Sequence, residues 1–198
     1  LVAPGEDSLK LATNAVKDIC DKDLNALDNI DMILFATCTP GKLMPSSACR
    51  LQAELNLKNI PALDINAACS GFLYALASAD AYIKSGLASR VLVVGAETLS
   101  SIIDWEDRST CVLFGDGAGA VIMEASQEQG IIAADIGADG SYSNILNTKG
   151  NILSAAEPSF IQMEGKEVYK RAVTKMTDIS SSVLSNNNLT PNDIDWFV

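Results

Sequence analysis

The chain of 198 residues is 48% hydrophobic and carries 25 acidic against 14 basic residues, a net charge of -11 with no histidine. Length and apolar content predict a globular protein with a sizeable core, while the acidity excludes a basic footprint for nucleic acid or an anionic membrane surface. Since no leader opens the sequence and no uncharged run reaches the roughly 18 residues of a membrane span, we expect a cytoplasmic protein.

The first predicted elements are a helix and a buried strand. Apolar residues recur at helical spacing after Pro4 and Gly5, and a polar turn then leads into the apolar run 32–36. A second helix is predicted after Pro45, with Ser46 and Ser47 as possible caps, followed by a short strand at 62–65. Helices that alternate with short apolar strands indicate an α/β sheet.

The next predicted elements are an apolar helix and three further strands. Residues 72–83 are apolar almost all the way round, which predicts a helix, beginning near Cys69, at the centre of the fold. The β-branched run 91–94 suits a central parallel strand. Residues 112–114 and 120–123 flank a glycine-rich stretch, and we interpret them as a pair of strands.

An internal echo suggests a duplication. With an offset of 164 residues, the helix before Asp31 and the strand after it resemble those around Asp195, and Leu9 pairs with Val173. The second copy stops at Val198 in mid-strand, so we interpret the chain as a fragment of a longer protein. Coincidence is the alternative, since any helix, turn and strand would share this periodicity.

Cys69 is the candidate nucleophile. It stands between the strand at 62–65 and the apolar helix, among small residues, where a helix dipole favours the thiolate and a backbone N–H beside the sulfur can serve an oxyanion hole. The alternative is that Cys69 is a small buried hydrophobe, the commonest role of a free cysteine. No histidine is present to act as its base.

The five cysteines do not form a metal or redox motif. They are odd in number and contain no C-x-x-C pair, and no histidine completes a mixed zinc site. This pattern fits a reducing compartment. We expect neither a metal nor another bound cofactor.

Four motifs follow one another along the chain. They are Ala67-Ala68-Cys69-Ser70-Gly71-Phe72, Val91-Leu92-Val93-Val94-Gly95-Ala96-Glu97, Phe114-Gly115-Asp116-Gly117-Ala118-Gly119-Ala120 and Gly165-Lys166-Glu167-Val168-Tyr169-Lys170. In this order they resemble β-ketoacyl-acyl carrier protein synthase III, a condensing enzyme of the thiolase superfamily. The resemblance is collinear over essentially the whole chain.

The resemblance implies a fold and a division into domains. The expected class is α/β, a thiolase-like five-layered α-β-α-β-α sandwich of two duplicated halves with the second half incomplete here. Residues 1–160 would form the N-terminal half without its first strand, and residues 161–198 the start of the C-terminal half.

The resemblance also implies a reaction. Cys69 aligns with the cysteine that takes an acyl group from acyl-CoA, here acetyl-CoA by expectation, before decarboxylative condensation with malonyl-acyl carrier protein in the priming of fatty acid synthesis. These substrates and a second copy of the chain are the implied partners. The family's histidine and asparagine align beyond Val198, so we do not expect this fragment alone to condense anything.

Arg108 and Met44 are candidates that follow from the resemblance. Arg108 aligns with an arginine near the CoA adenine and phosphates, and a guanidinium suits both contacts. Its alternative is a solvated charge paired with Asp104 or Asp107. Met44 aligns with the residue that closes the partner's acyl pocket across the dimer, and its alternative is an ordinary core methionine.

Three further candidates concern the acyl and pantetheine sites. Phe114 is implied to line the acyl site, and Gly165 and Tyr169 to lie beside the pantetheine arm, although both also fit as packing residues. The stretch 115–119 resembles a phosphate loop, but it leads into a predicted strand and not into a helix, so we expect it to serve close packing.

Two other functions stay open at the level of sequence. One is a synthase III-like acyltransferase of secondary metabolism with the same cysteine and a different acceptor. The other is an acyl-binding or dimer-partner subunit that has lost catalysis, which the lack of histidine suggests.

Overall fold

The computed structural model describes residues 1–128, 130–149 and 159–198. These fall into a first unit, Leu1–Ser101 with Phe114–Gln129, and a second unit, Ile102–Leu113 with Gly130–Val198. The domain boundary expected between residues 160 and 161 stays a prediction.

A four-stranded sheet forms the centre of the first unit. Its order is β2-β1-β3-β4, in which the first three strands are parallel and β4 is antiparallel to β3. The strands predicted at 32–36, 62–65 and 91–94 are confirmed. Their bounds are β1 (Met32–Ala36), β2 (Ala62–Ile65), β3 (Arg90–Thr98) and β4 (Asp116–Glu124).

Helices cover both faces of this sheet. The predicted first and second helices are α1 (Ser8–Cys20) and α2 (Ser47–Glu54), and Ser46 caps α2 by accepting a hydrogen bond from the Cys49 N–H. Successive residues of β1 point to opposite faces: Ile33 and Phe35 pack with α1 and α2, whereas Leu34 packs with α3 (Gly71–Lys84). Because of this double cover, β1 is buried along its whole length and β3 over residues 91–94, whereas β2 at the edge is partly buried.

The apolar helix α3 packs through only one of its faces. Ala75 and Ala79 are buried, whereas Leu73 is 61% exposed. The sequence predicts a helix that is buried on all sides. In the structure of this chain, only the side that faces the sheet is buried. Among the described residues, no helix is long and apolar enough to cross a membrane.

The strand predicted at 112–114 is wrong. Residues 108–113 form turns, and β4 takes β3 as its partner. The cause lies in Asp107, whose carboxylate accepts hydrogen bonds from the Ser109 N–H (2.9 Å), the Ser109 hydroxyl (2.6 Å) and the Thr110 hydroxyl (2.8 Å). Such local bonds from an aspartate compete with an extended strand.

The second unit contains a strand pair and a long helix. β5 (Leu146–Lys149) pairs antiparallel with β6 (Phe160–Met163), and α4 (Gly165–Asn186) follows. The offset of 164 residues maps α1 onto 172–184, inside α4, so the helical part of the echo is confirmed. The predicted strand around Asp195 is not formed: Trp196 and Phe197 are exposed, and the described residues offer them no ladder partner.

Candidate active site

Cys69 lies at the carboxyl edge of the first unit's sheet, in the turn that joins β2 to α3. A single 3-10 turn (Ala68–Ser70) holds it, and the α-helix begins at Gly71, two residues later than the sequence predicts. Its side chain is exposed. The alternative of a buried filler cysteine is therefore wrong in this structure, and Cys69 is accessible to a substrate.

The turn around Cys69 is conformationally strained. Ala68 has a φ of 46°, in the left-handed region that favours glycine. Its N–H donates to the Asn66 side-chain oxygen at 3.3 Å, and the Ser70 N–H donates to the Ala67 carbonyl at 3.1 Å. A non-glycine residue in this region costs about 1–3 kcal/mol, and such strain is concentrated at functional sites.

Gly71, two residues after Cys69, lies against the sheet. A Cβ on Gly71 would lie 3.4 Å from the Cβ of Ala36 and 3.9 Å from the Ile65 carbonyl oxygen, which is ordinary van der Waals contact. The first residue of α3 therefore sits against the ends of β1 and β2. The expectation that the glycines of 115–119 serve close packing is wrong, because a Cβ on Gly115, Gly117 or Gly119 would meet nothing within 4 Å.

A glutamate at the same edge is a residue that sequence reasoning missed. Glu97, near the end of β3, accepts hydrogen bonds from the Cys38 N–H (2.8 Å), the Thr39 N–H (3.1 Å) and the Thr37 hydroxyl (3.3 Å), and also from the Thr39 hydroxyl. The sequence could have indicated Glu97 by its position at the end of a predicted strand, because charged or polar residues at the carboxyl ends of parallel strands gather at one edge of the sheet.

Cys38 was missed for the same reason. Burial raises the pKa of its thiol to about 12, with further contributions from the charge of Glu97, a hydrogen bond to Glu97 and the charge of Cys69. Cys38 is therefore a protonated thiol at neutral pH. Two cysteines thus lie within electrostatic reach of each other at this edge.

The other predicted site residues are divided between the two units. Met44 and Phe114 belong to the first unit with Cys69, whereas Arg108, Gly165 and Tyr169 belong to the second. Within each unit, no hydrogen bond or ion pair links one of these described residues to another. Their common role stays a prediction.

The exposure of these residues bears on their alternatives. Met44 is 78% exposed, so it is not an ordinary core methionine of this chain, and Tyr169 is 73% exposed.

Arg108 is also exposed, and among the described residues it forms no ion pair with Asp104 or Asp107. Phe114 is half-buried just before β4. Gly165 opens α4, where a Cβ would meet the Met163 methyl carbon at an ordinary 3.5 Å.

A metal centre is not apparent in the part of the chain that the structure describes. There, histidine, cysteine, aspartate and glutamate form no group of three that could hold a metal ion. The arrangement at the sheet edge instead combines an exposed thiol, a strained backbone turn and a hydrogen-bonded carboxylate, which suits nucleophilic chemistry at sulfur.

Comparisons with known proteins agree on one family. Residues 63–140 match the family described as 3-oxoacyl-[acyl-carrier-protein (ACP)] synthase III. The β-ketoacyl-[acyl-carrier-protein] synthase III of Thiobacillus denitrificans is 48% identical over 200 residues, which cover 100% of this chain and 63% of that protein. The chain thus spans less than two thirds of that curated relative's length.

Solved structures give the same result for the fold. The β-ketoacyl-[acyl-carrier-protein] synthase III of Thermus thermophilus superposes with a TM-score of 0.90 at 39% identity, over 98% of this chain and 62% of that one. The priming β-ketosynthase of the R1128 polyketide pathway also gives 0.90, at 29% identity over 98% of this chain and 60% of its own. The predicted thiolase-like α/β fold is confirmed.

Proposed function

Since the chain belongs to the 3-oxoacyl-[acyl-carrier-protein] synthase III family, we propose that it serves the priming condensation of fatty acid synthesis, with Cys69 as the acyl acceptor. The observation that carries this proposal is the exposed Cys69 in a strained turn at the entrance to α3. A nucleophile held by a rigid turn at a helix entrance is pre-positioned for attack on a thioester.

The proposed acyl transfer proceeds through a tetrahedral intermediate. The Cys69 thiolate attacks the thioester carbonyl of an acyl-CoA, acetyl-CoA in the first instance, and the carbonyl oxygen becomes an oxyanion. Collapse of the intermediate breaks the bond to the CoA sulfur, and the departing CoA thiolate takes up a proton. The Cys69 backbone N–H is proposed as one donor to the oxyanion.

The proposed second step forms the carbon–carbon bond. Malonyl-acyl carrier protein loses CO2, and the resulting enolate attacks the carbonyl carbon of the acyl group on Cys69. The Cys69 sulfur leaves as a thiolate, and the product is β-ketoacyl-acyl carrier protein. The sequence contains no histidine. We infer that these 198 residues by themselves carry out acyl transfer but not the decarboxylative step.

The other site residues receive roles consistent with their exposure. Arg108 is proposed to contact the CoA adenine and phosphates, Gly165 and Tyr169 the pantetheine arm, and Phe114 the acyl group. Met44 is proposed to reach the acyl pocket of a second copy in a homodimer. Acyl-CoA and acyl carrier protein are the proposed partners, and a cytoplasmic location is part of the proposal.

A second candidate function is an acyltransferase of secondary metabolism. It is supported by the likeness to the R1128 priming β-ketosynthase at a TM-score of 0.90. The 48% identity to the Thiobacillus synthase, against 29% for the R1128 protein, favours fatty acid synthesis. Because the second candidate differs in its acceptor, offering the acetylated chain alternative acceptors separates the two: transfer of the acetyl group to an acceptor other than malonyl-acyl carrier protein favours the second candidate.

Intact mass spectrometry tests the proposal directly. The chain is expected to gain one acetyl group from acetyl-CoA, and Cys69→Ser is expected to gain none. Cys49→Ser is the matched control because Cys49 is also an exposed cysteine of the first unit. The absence of an adduct on the unmodified chain would contradict the role of Cys69 and favour a subunit without catalysis. An adduct that persists in Cys69→Ser would also contradict the role of Cys69.

A further inference from the structure

Cys38 and Cys69 leave the same edge of the sheet on neighbouring strands. Ala36 and Ile65 are register partners at the ends of β1 and β2, and the Thr37 N–H donates to the Ile65 carbonyl at 3.1 Å. Cys38 lies two residues beyond this point on one chain segment, and Cys69 lies four residues beyond it on the other. A pair of thiols at one site raises the question of which of them reacts.

Glu97 fixes the segment that carries Cys38. Its carboxylate accepts from the N–H groups of Cys38 and Thr39 and from the hydroxyls of Thr37 and Thr39, so donors from all three residues 37–39 meet one side chain. Thr37 and Thr39 are buried. Charge-assisted hydrogen bonds of this kind are roughly twice as strong as neutral ones.

The same segment is held from two other directions. The Thr39 hydroxyl accepts from the Thr98 N–H at 2.8 Å, and the Ser8 hydroxyl donates to the Thr39 carbonyl at 3.0 Å. Strand β3 and helix α1 therefore both anchor Thr39. With its neighbours anchored, Cys38 has a fixed backbone position beside the turn that carries Cys69.

The electrostatic surroundings of Cys38 oppose its ionisation. Burial is the largest cause of its raised pKa of about 12, and the negative charge of Glu97 and the charge of Cys69 act in the same direction. The thiolate is the nucleophilic form of cysteine. At neutral pH, Cys38 is therefore a poor nucleophile, while the neighbouring Cys69 is exposed.

We propose that Glu97 is a positioning residue for acyl transfer: it fixes residues 37–39 beside Cys69 and adds its negative charge to the burial of Cys38, so that the acyl group goes to the exposed Cys69 alone. This inference rests on the proposed function of Cys69. An uncharged neighbour also spares the Cys69 thiolate the repulsion of a second negative charge close by. The carboxylate thus widens the difference in reactivity between the two thiols that burial establishes.

Site-resolved alkylation tests this selectivity without relying on acyl-CoA. The chain and its Glu97→Gln variant are treated with iodoacetamide from pH 6 to pH 10, and the labelling rate of each cysteine is read by peptide mass spectrometry. The thiolate displaces iodide, so the rate follows the thiolate fraction. In Glu97→Gln, the labelling of Cys38 at pH 8 is expected to rise about tenfold or more, the effect of one pKa unit.

A matched control separates selectivity from general loosening of the fold. Asp31 lies at the opposite end of β1 and accepts from the N–H groups of Ser89 (2.7 Å) and Arg90 (3.0 Å). Asp31→Asn therefore also weakens a carboxylate that holds backbone N–H groups, and it is expected to leave the labelling rate of Cys38 as in the parent chain. Equal labelling of Cys38 in both variants would show loosening and overturn the proposal.

Two further outcomes are decisive. A folded Glu97→Gln in which Cys38 stays as inert as in the parent chain overturns the proposal. Should Glu97→Gln not fold, Glu97→Asp decides: its shorter side chain withdraws the carboxylate from residues 37–39, so the labelling of Cys38 at pH 8 is expected to rise, and a rate equal to that of the parent chain overturns the proposal. If alkylation discriminates as expected but acetyl-CoA labels neither cysteine, the proposed function fails while the control of the pair by Glu97 is supported.

Discussion

Replacing Gly95 with alanine tests how tightly α3 is seated on the sheet. Gly95 lies in β3, and a Cβ at this position would stand 3.0 Å from the Cδ2 atom of Phe72 and 3.6 Å from its Cβ and Cγ atoms. Carbon atoms prefer separations of about 3.5–4.0 Å, so the ring must move by about 0.5–1 Å. Phe72 is in the first turn of α3, only three residues after Cys69.

The magnitude follows from two opposing terms. Overpacking of this kind costs about 1–3 kcal/mol, whereas a glycine-to-alanine change at a tolerated position stabilises by about 0.4–1 kcal/mol through the unfolded chain. Gly119 provides a matched control, because it is the register partner of Gly95 on β4 and a Cβ there would meet nothing within 4 Å. The chain-entropy term is common to both variants and cancels in their comparison.

Urea denaturation of the two variants gives the measurement. Gly119→Ala is expected to unfold at higher urea than the parent chain and Gly95→Ala at lower urea, with about 1–3 kcal/mol between them. Gly95→Ala is also expected to slow acetylation of Cys69, since the displaced ring belongs to the adjoining turn. Phe72→Leu removes the ring and is expected to lessen the cost of Gly95→Ala. Equal stability of the two alanine variants would refute the crowding argument.

Two other predictions concern titratable groups of the first unit. Asp7 caps α1 by accepting from the Lys10 N–H and pairs with Arg50 at 2.8 Å; although burial opposes ionisation, these bonds lower its pKa. Asp7→Ala, which removes both the cap acceptor and the partner of Arg50, should therefore cost about 1 kcal/mol in urea denaturation at pH 7, a difference that shrinks as acid protonates Asp7 in the parent chain. The raised pKa of Cys38 means that its contribution to stability, complete below about pH 9, is lost as pH rises toward about 12. Urea midpoints from pH 8 to pH 10.5 should accordingly fall less steeply in Cys38→Ser, and an identical slope would contradict the raised pKa.

Local patterns were sufficient to predict the central strands and the turn of Cys69. Strand β1 is five consecutive apolar residues between polar ones, and all five are buried. The small residues before α3 indicated a tight strand-to-helix turn, although the sequence could not show that a 3-10 turn delays the helix to Gly71. The 3-10 turn includes a positive φ at Ala68, and an alanine in the sequence does not indicate a positive φ.

Predictions failed where side-chain hydrogen bonds determine the course of the backbone. The run at 112–114 is apolar and suits a strand, but the three hydrogen bonds to Asp107 fold the preceding residues into turns. The link between Glu97 and Cys38 was also hidden, because it joins residues 59 positions apart. Their contact depends on the strand order and register, and neither follows from local periodicity.

The strand order explains why Glu97 meets the segment 37–39. In the order β2-β1-β3, the central strand β1 separates the strand that leads to Cys69 from the strand that carries Glu97. Because all three are parallel, their carboxyl ends share one edge, and the segment that follows β1 lies between the other two. A carboxylate on β3 can therefore accept hydrogen bonds from that segment, and the segment in turn adjoins β2, since the Thr37 N–H donates to the Ile65 carbonyl.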